Sequence, residues 1–175
     1  ALDLRVAGGK HVEPVASALL PTKTNYLRGR DTSKWQTEVA NYGRVTYPGV
    51  LDGVDLVFHG EEGQMEYDFV VAPGANPGAI VMDISGSDGL SLDAKGNLEI
   101  ALGDRKLVQQ RPVVYQQDAH GKRTEVAASY RLESGKVAFA VADYDRSREL
   151  VIDPVIGYST YLGGDDNDYA AGIKA

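Results

Sequence analysis

Residues 49–73 alternate apolar and polar side chains with a period of two on both sides of a glycine-flanked break. Val54, Leu56 and Phe58 alternate with Asp55, Val57 and His59. After Gly60-Glu61-Glu62-Gly63, the residues Met65, Tyr67, Phe69 and Val71 alternate with Glu66, Asp68 and Val70. A period of two turns one set toward a core and the other toward solvent, which is the pattern of a half-buried strand. Glycine at each end of the break supplies the positive-φ freedom that a tight reversal needs. The stretch is predicted to be a central β-hairpin, with Glu66 and Asp68 on its solvent side.

The rest of the chain repeats this vocabulary in shorter pieces. Residues 2–6 (LDLRV) alternate and stop at Gly8-Gly9. Residues 12–20 are mildly apolar and interrupted by Pro14, which restricts them to an edge strand or an extended segment. Residues 21–33 read as a loop. Asp31, Thr32 and Ser33 are helix-capping types and predict one helical turn before Trp35. Residues 42–47 (YGRVTY) form a strand that Pro48-Gly49 should end. Further short strands are expected at 80–84, 90–93, 98–102, 106–110, 113–117, 137–141 and 150–152, with one longer strand at 123–132. Gly, Asn, Asp and Ser separate them, the residues that supply turn geometry. No amphipathic helical pattern is present, which excludes parallel βαβ folds. The fold class is therefore all-β: an antiparallel, sandwich-like domain of many short strands.

Composition excludes several functions. The formal net charge is −7 and the basic residues are scattered, which argues against a nucleic-acid partner. The chain has no cysteine, so disulfides, thiolate metal sites and a cysteine nucleophile are ruled out. No apolar run approaches the roughly 20 residues of a helical membrane span. The chain opens directly on strand-like sequence, as a mature exported protein would.

Candidate chemistry is sparse. Glu66 and Asp68 share a strand face and could form the carboxylate pair of a glycoside hydrolase, although alternation alone places charges outward. The three histidines, His11, His59 and His120, lack ligand spacing among themselves; His59 with Glu61 or Glu62 is the nearest approach to a metal site, and a surface histidine is the simpler reading. Ser85-Gly86-Ser87-Asp88-Gly89 reads as a turn, with no nucleophile elbow. Asp165, Asp166, Asn167 and Asp168 could offer oxygens to a cation, but the run lacks the spacing of a calcium loop and suits a capped turn better. No cofactor-binding pattern occurs. Aromatic side chains could stack on sugars, with Trp35 beside a polar loop the best candidate. Tyr42, Tyr47, Tyr67, Tyr115 and Tyr130 read as structural.

Two sets of motifs carry a resemblance. Residues 158–164 (YSTYLGG) followed by Asn167-Asp168-Tyr169 resemble the opening of an SBBP-type β-propeller repeat. Upstream, Asn25-Tyr26-Leu27 with Gly29 and Trp35, Gly53-Val54-Asp55-Leu56-Val57, residues 63–75, Pro112-Val113-Val114-Tyr115-Gln116, Tyr144-Asp145-Arg146-Ser147 and Leu150-Val151-Ile152-Asp153-Pro154 resemble the domain of unknown function that precedes such repeats in large exported bacterial proteins. Leu51-Asp52 departs from that pattern, which usually has Tyr-Pro there. The resemblance implies an all-β N-terminal module at 1–156 and an incomplete propeller repeat at 157–175. It implies an exported or cell-surface setting, and no catalytic residue comes with it.

The expected function is a non-catalytic structural or interaction module. Its expected partner is a downstream β-propeller of the same chain. A neighbouring copy could also pair with the strand-like C-terminal segment at a free sheet edge. The alternative is a carbohydrate- or protein-binding module acting through exposed aromatics, and behind it a hydrolase using Glu66 and Asp68.

Overall fold

Antiparallel pairing accounts for all fifteen strands among the described residues, which in this computed structural model are 2–61, 64–154 and 156–157. In chain order they are β1 (Asp3–Val6), β2 (Val15–Tyr26), β3 (Gln36–Leu51), β4 (Val54–Glu61), β5 (Gln64–Val71), β6 (Val81–Ser85), β7 (Gly89–Leu92), β8 (Leu98–Leu102), β9 (Arg105–Gln109), β10 (Val113–Gln117), β11 (Arg123–Glu125), β12 (Ala128–Glu133), β13 (Lys136–Val141), β14 (Leu150–Asp153) and β15 (Ile156–Gly157). They form three sheets. A seven-stranded sheet runs β11-β10-β14-β5-β4-β3-β2, and two four-stranded sheets run β1-β6-β13-β12 and β15-β9-β8-β7. The expected propeller-repeat opening at 158–175 lies outside the described residues.

The predicted hairpin is β4–β5, and it holds the middle of the largest sheet. Its register is continuous from Val54↔Val71 to Glu61↔Gln64. Strand pairing therefore includes Gly60 and Glu61, so the connection is tighter than the four-residue break in the sequence suggests. On the inner face, Val54, Leu56, Tyr67, Phe69 and Val71 join Val114, Leu150 and Ile152 of the same sheet. They meet Met82, Val137 and Phe139 of one small sheet and Leu98 and Ile100 of the other. Tyr67, Phe69 and Phe139 form successive edge-to-face contacts at 5.8 and 5.9 Å. Burying each such side chain contributes about 1.5–3 kcal/mol.

A buried amide links the three sheets. Gln109 on β9 donates through Nε2 to the Tyr67 hydroxyl on β5 at 2.8 Å, and Tyr67 donates to Met82 Sδ on β6 at 3.4 Å. Burial raises the Tyr67 phenol well above its usual range, so it stays a donor. At the hairpin's other end, Gly53 has a φ of +70°, and a Cβ there would lie 2.6 Å from the Ala75 side chain. Only glycine fits that turn.

The structure corrects four sequence expectations. Residues 21–26 are strand, not loop: β2 runs through Pro21 because it is an edge strand, where a missing N–H costs no ladder bond. Strand β3 begins at Gln36 and continues past Pro48, which falls in a register shift between Tyr47 and Leu51, beyond the end of β2. The expected single strand at 123–132 is two strands in different sheets. Its ladder partner changes at one peptide: Val126 N–H bonds to Val114 on β10, while Ala127 C=O accepts from Ala142 just after β13. Tyr42, expected to be structural, is exposed. The predicted helical turn is present as a 3₁₀ turn over Thr32–Lys34, capped by Asp31, whose Oδ1 accepts from Ser33 N at 3.1 Å.

Candidate functional site

The outer face of the seven-stranded sheet is the surface that departs most from a solvated sheet face. Opposed residues on neighbouring strands share a face, so the registers define its rows. One row reads Val15, Thr46, Val57 and Asp68 from β2 to β5. The β5–β14 register, which pairs Ile152 with Phe69, places Asp153 beside Asp68, and Val113 on β10 completes the row. A second row reads Ser17, Arg44, His59 and Glu66. Leu19 pairs with Tyr42 beyond it on the same face.

Glu66 and Asp68 were expected on a wet surface, and here the structure overturns the expectation for Asp68. Asp68 is only 7% exposed, while Val57 and Tyr115 on the same face are also buried. Alternation identifies the face, but lateral neighbours decide whether it is wet. His59, half-buried, is hydrogen-bonded through Nε2 with Asp68 Oδ2 at 3.0 Å. Asp68 Oδ1 and Asp153 Oδ1 are buried without any hydrogen-bond partner. Two positive groups stand nearby. Arg123 stacks 4.2 Å above the Tyr115 ring, and Arg44 is paired in register with His59.

The titration behaviour follows from this arrangement. Burial pushes the Asp68 carboxyl up, opposed by the charges of His59, Arg44 and Arg123. Burial also pushes Asp153 up to about 6, reinforced by the negative charges of Asp68 and Glu66. Burial raises the Tyr115 phenol as well. Perturbed acids concentrated on one face mark a functional-site candidate.

The rims of the same face are apolar and open. Leu19 is 68% exposed and Tyr42 46%, with Val15 exposed beside them and Val113 at the far edge. Trp35 lies elsewhere, at the start of β3, 38% exposed with Nε1 donating to Gly29 C=O at 3.2 Å. Tyr26 and Leu27 are exposed near it. Rising about 3.3 Å per residue, β3 carries Tyr42 roughly 20 Å from Trp35, so the two rings do not form one sugar-stacking platform.

The other sequence candidates stay apart from this face. His11 and His120 are exposed. The side chains of residues 61–65 are not among those described, and Asp165, Asp166 and Asp168 lie outside the described residues. Among the described residues, no group of three His, Asp or Glu side chains is placed to hold a metal ion. Gly86, at a φ of +80°, fits the turn expected at 85–89, and Asp88 accepts from Gly103 N at 2.5 Å across to the β8–β9 connection. A cavity of about 460 Å³ beside Asn76, Phe139 and Tyr144 carries Arg131 and Asp143, both exposed. Sequence reasoning missed Asp153, Arg44 and Arg123. Their roles depend on strand registers, and no local motif marks them.

With fold and site in hand, the chain is placed by its family. It belongs to the family described as Domain of unknown function (DUF7948), whose model matches residues 1–155. No curated protein and no solved structure matches the chain.

Proposed function

We propose that this member of a domain-of-unknown-function family is a non-catalytic interaction module of an exported, multidomain chain, and that the outer face of its seven-stranded sheet docks on the downstream β-propeller repeats. The observation that carries the reading is the composition of that face: exposed Val15, Leu19 and Tyr42 on one rim, Val113 on the other, and a buried acid–histidine cluster between them. A face left in water has no use for this arrangement, whereas a docking face combines an apolar contact zone with charges that fix orientation. Asp153 lies on this face, and the chain turns off at Pro154 directly afterwards. The chain then enters β15, which pairs with β9, so segments following Gly157 stay tethered to this domain, which raises their effective concentration at its surfaces.

The form of the β2 edge favours side-chain docking over strand addition. Pro21, Lys23 and two register shifts interrupt that edge, and these devices block edge-to-edge pairing. This argues against a neighbouring copy adding a strand at β2. A protein surface suits the face better than carbohydrate, because Tyr42 and Trp35 are far apart and Trp35 already spends its N–H on Gly29. A hydrolase using Glu66 and Asp68 finds little support. The carboxyl facing Asp68 belongs to Asp153, and the free oxygens of that pair have no solvent access. Removing residues 1–157 from the full-length protein tests the proposal. The melting temperature of the repeats should fall, and an unchanged melting temperature together with unchanged solubility would contradict it.

A further inference from the structure

We propose that Asp68 and Asp153 share one proton across the β5–β14 pair, so that the outer face responds to pH. The inference starts from two orphaned atoms. Asp68 Oδ1 and Asp153 Oδ1 are each buried and each lacks a hydrogen-bond partner. Most buried polar atoms in proteins are paired, because leaving one unpaired costs about 1–3 kcal/mol. Carried one residue past Ile152↔Phe69, the β5–β14 register sets the two carboxyls side by side on the same face, close enough for the Asp68 charge to act on Asp153; opposed Cβ atoms in such a pair are about 4.5–5.5 Å apart. Two ionised carboxyls at that separation repel, and each would be short of a donor. One proton taken up from water removes both defects: the protonated carboxyl donates O–H and the ionised one accepts.

Among the described residues, none of the surrounding donors, the Tyr115 hydroxyl included, hydrogen-bonds to these atoms. From β4, His59 Nε2 is hydrogen-bonded with Asp68 Oδ2, the opposite oxygen of that carboxyl. From β11, Arg123 lies over Tyr115 of β10. Arg44 on β3 acts on Asp68 as a charge, with no hydrogen bond to either carboxyl. Glu66 on β5 adds negative charge and favours the protonated state. Asp55 on β4 is engaged with Gly49 N at 2.7 Å, and Glu125 on β11 pairs in register with Tyr115. A metal ion fits the pair less well, since Asp68 Oδ1 and Asp153 Oδ1 are sealed from solvent and, among the described residues, no third ligand is placed for it.

The sign of the pH effect follows from the raised value of Asp153. Its folded-state value of about 6 lies above the unfolded carboxylate range, so the folded state binds this proton more tightly. The associated stability is present at low pH and is lost as pH rises toward 6. Above 6, two like charges face each other in the fold. This behaviour belongs to the carboxyl pair and survives if the docking reading fails.

Urea unfolding of the whole chain from about pH 4.5 to 7.5 tests the pair, using wild type, Asp153→Asn and Asp68→Asn. The wild-type folding constant should fall roughly tenfold or more over that range relative to Asp153→Asn. Asp153→Asn should be the more stable chain at pH 7.5, and Asp68→Asn, which removes the same repulsion from the other side, should flatten the profile too. The infrared C=O band of a protonated carboxyl near pH 6, where ordinary carboxyls are ionised, should be stronger in wild type than in Asp153→Asn. Parallel profiles for wild type and Asp153→Asn would overturn the proposal, as would an Asp153→Asn chain less stable than wild type at pH 7.5. Stabilisation of wild type alone by Ca²⁺ or Mg²⁺ above pH 7 would also overturn it and assign the pair to a cation.

Discussion

The β4–β5 and β2–β3 hairpins lie side by side in one sheet, yet different physics holds them. In β4–β5 the register never shifts, and the inner face supplies much of the core. In β2–β3 the register shifts twice, Ala18 and Glu38 take φ of 55° and 58°, and β2 has no buried residue. Non-glycine residues held in that region cost about 1–3 kcal/mol each. The inner face of the first hairpin is explained by burial alone. The second joins the core only at Tyr47, Val50 and Leu51 near the end of β3, while its β2 side carries strain and exposed apolar side chains without burial, the combination that the proposed docking role accounts for.

The contrast can be broken by mutation. Phe69→Ala empties the centre of the core and should cost roughly 3–5 kcal/mol in urea unfolding; a cost under 1 kcal/mol would mean that β4–β5 does not organise the fold. Gln109→Leu removes the donor to Tyr67 and separates the polar link between the sheets. It should cost about 1–3 kcal/mol, read as a lower urea midpoint with an unchanged slope. Leu19→Ser combined with Tyr42→Ser should change stability by no more than about 0.5 kcal/mol, because both side chains are already in water. A larger loss would show that the Leu19–Tyr42 part of β2–β3 belongs to the core and would erase the distinction between the hairpins.

Much of this fold was legible in the residues. Strands β8 and β10 occupy the positions that alternation and turn chemistry predict, and the Asp31-capped turn is where its capping residues place it. The split of the 123–132 segment left no trace in composition, because the chain changes ladder partner between Val126 and Ala127 without a glycine or proline. Pro21 suggested a loop because a proline's cost depends on whether its strand is an edge, which is a tertiary fact. The candidate site was legible only in part. Alternation assigned Glu66 and Asp68 to one face, but the burial of Asp68 depends on lateral neighbours, and Asp153 reaches it only through the β5–β14 register.

The absence of cysteine from the chain opens a direct route to the central claim, that the outer face is a docking surface. A single Leu19→Cys substitution places one thiol on the exposed rim, and its reaction rate with a thiol reagent can be compared in the full-length protein and in a form lacking the repeats. The account predicts slow labelling when the repeats are present and fast labelling when they are removed. Equal, fast labelling in both forms would contradict it.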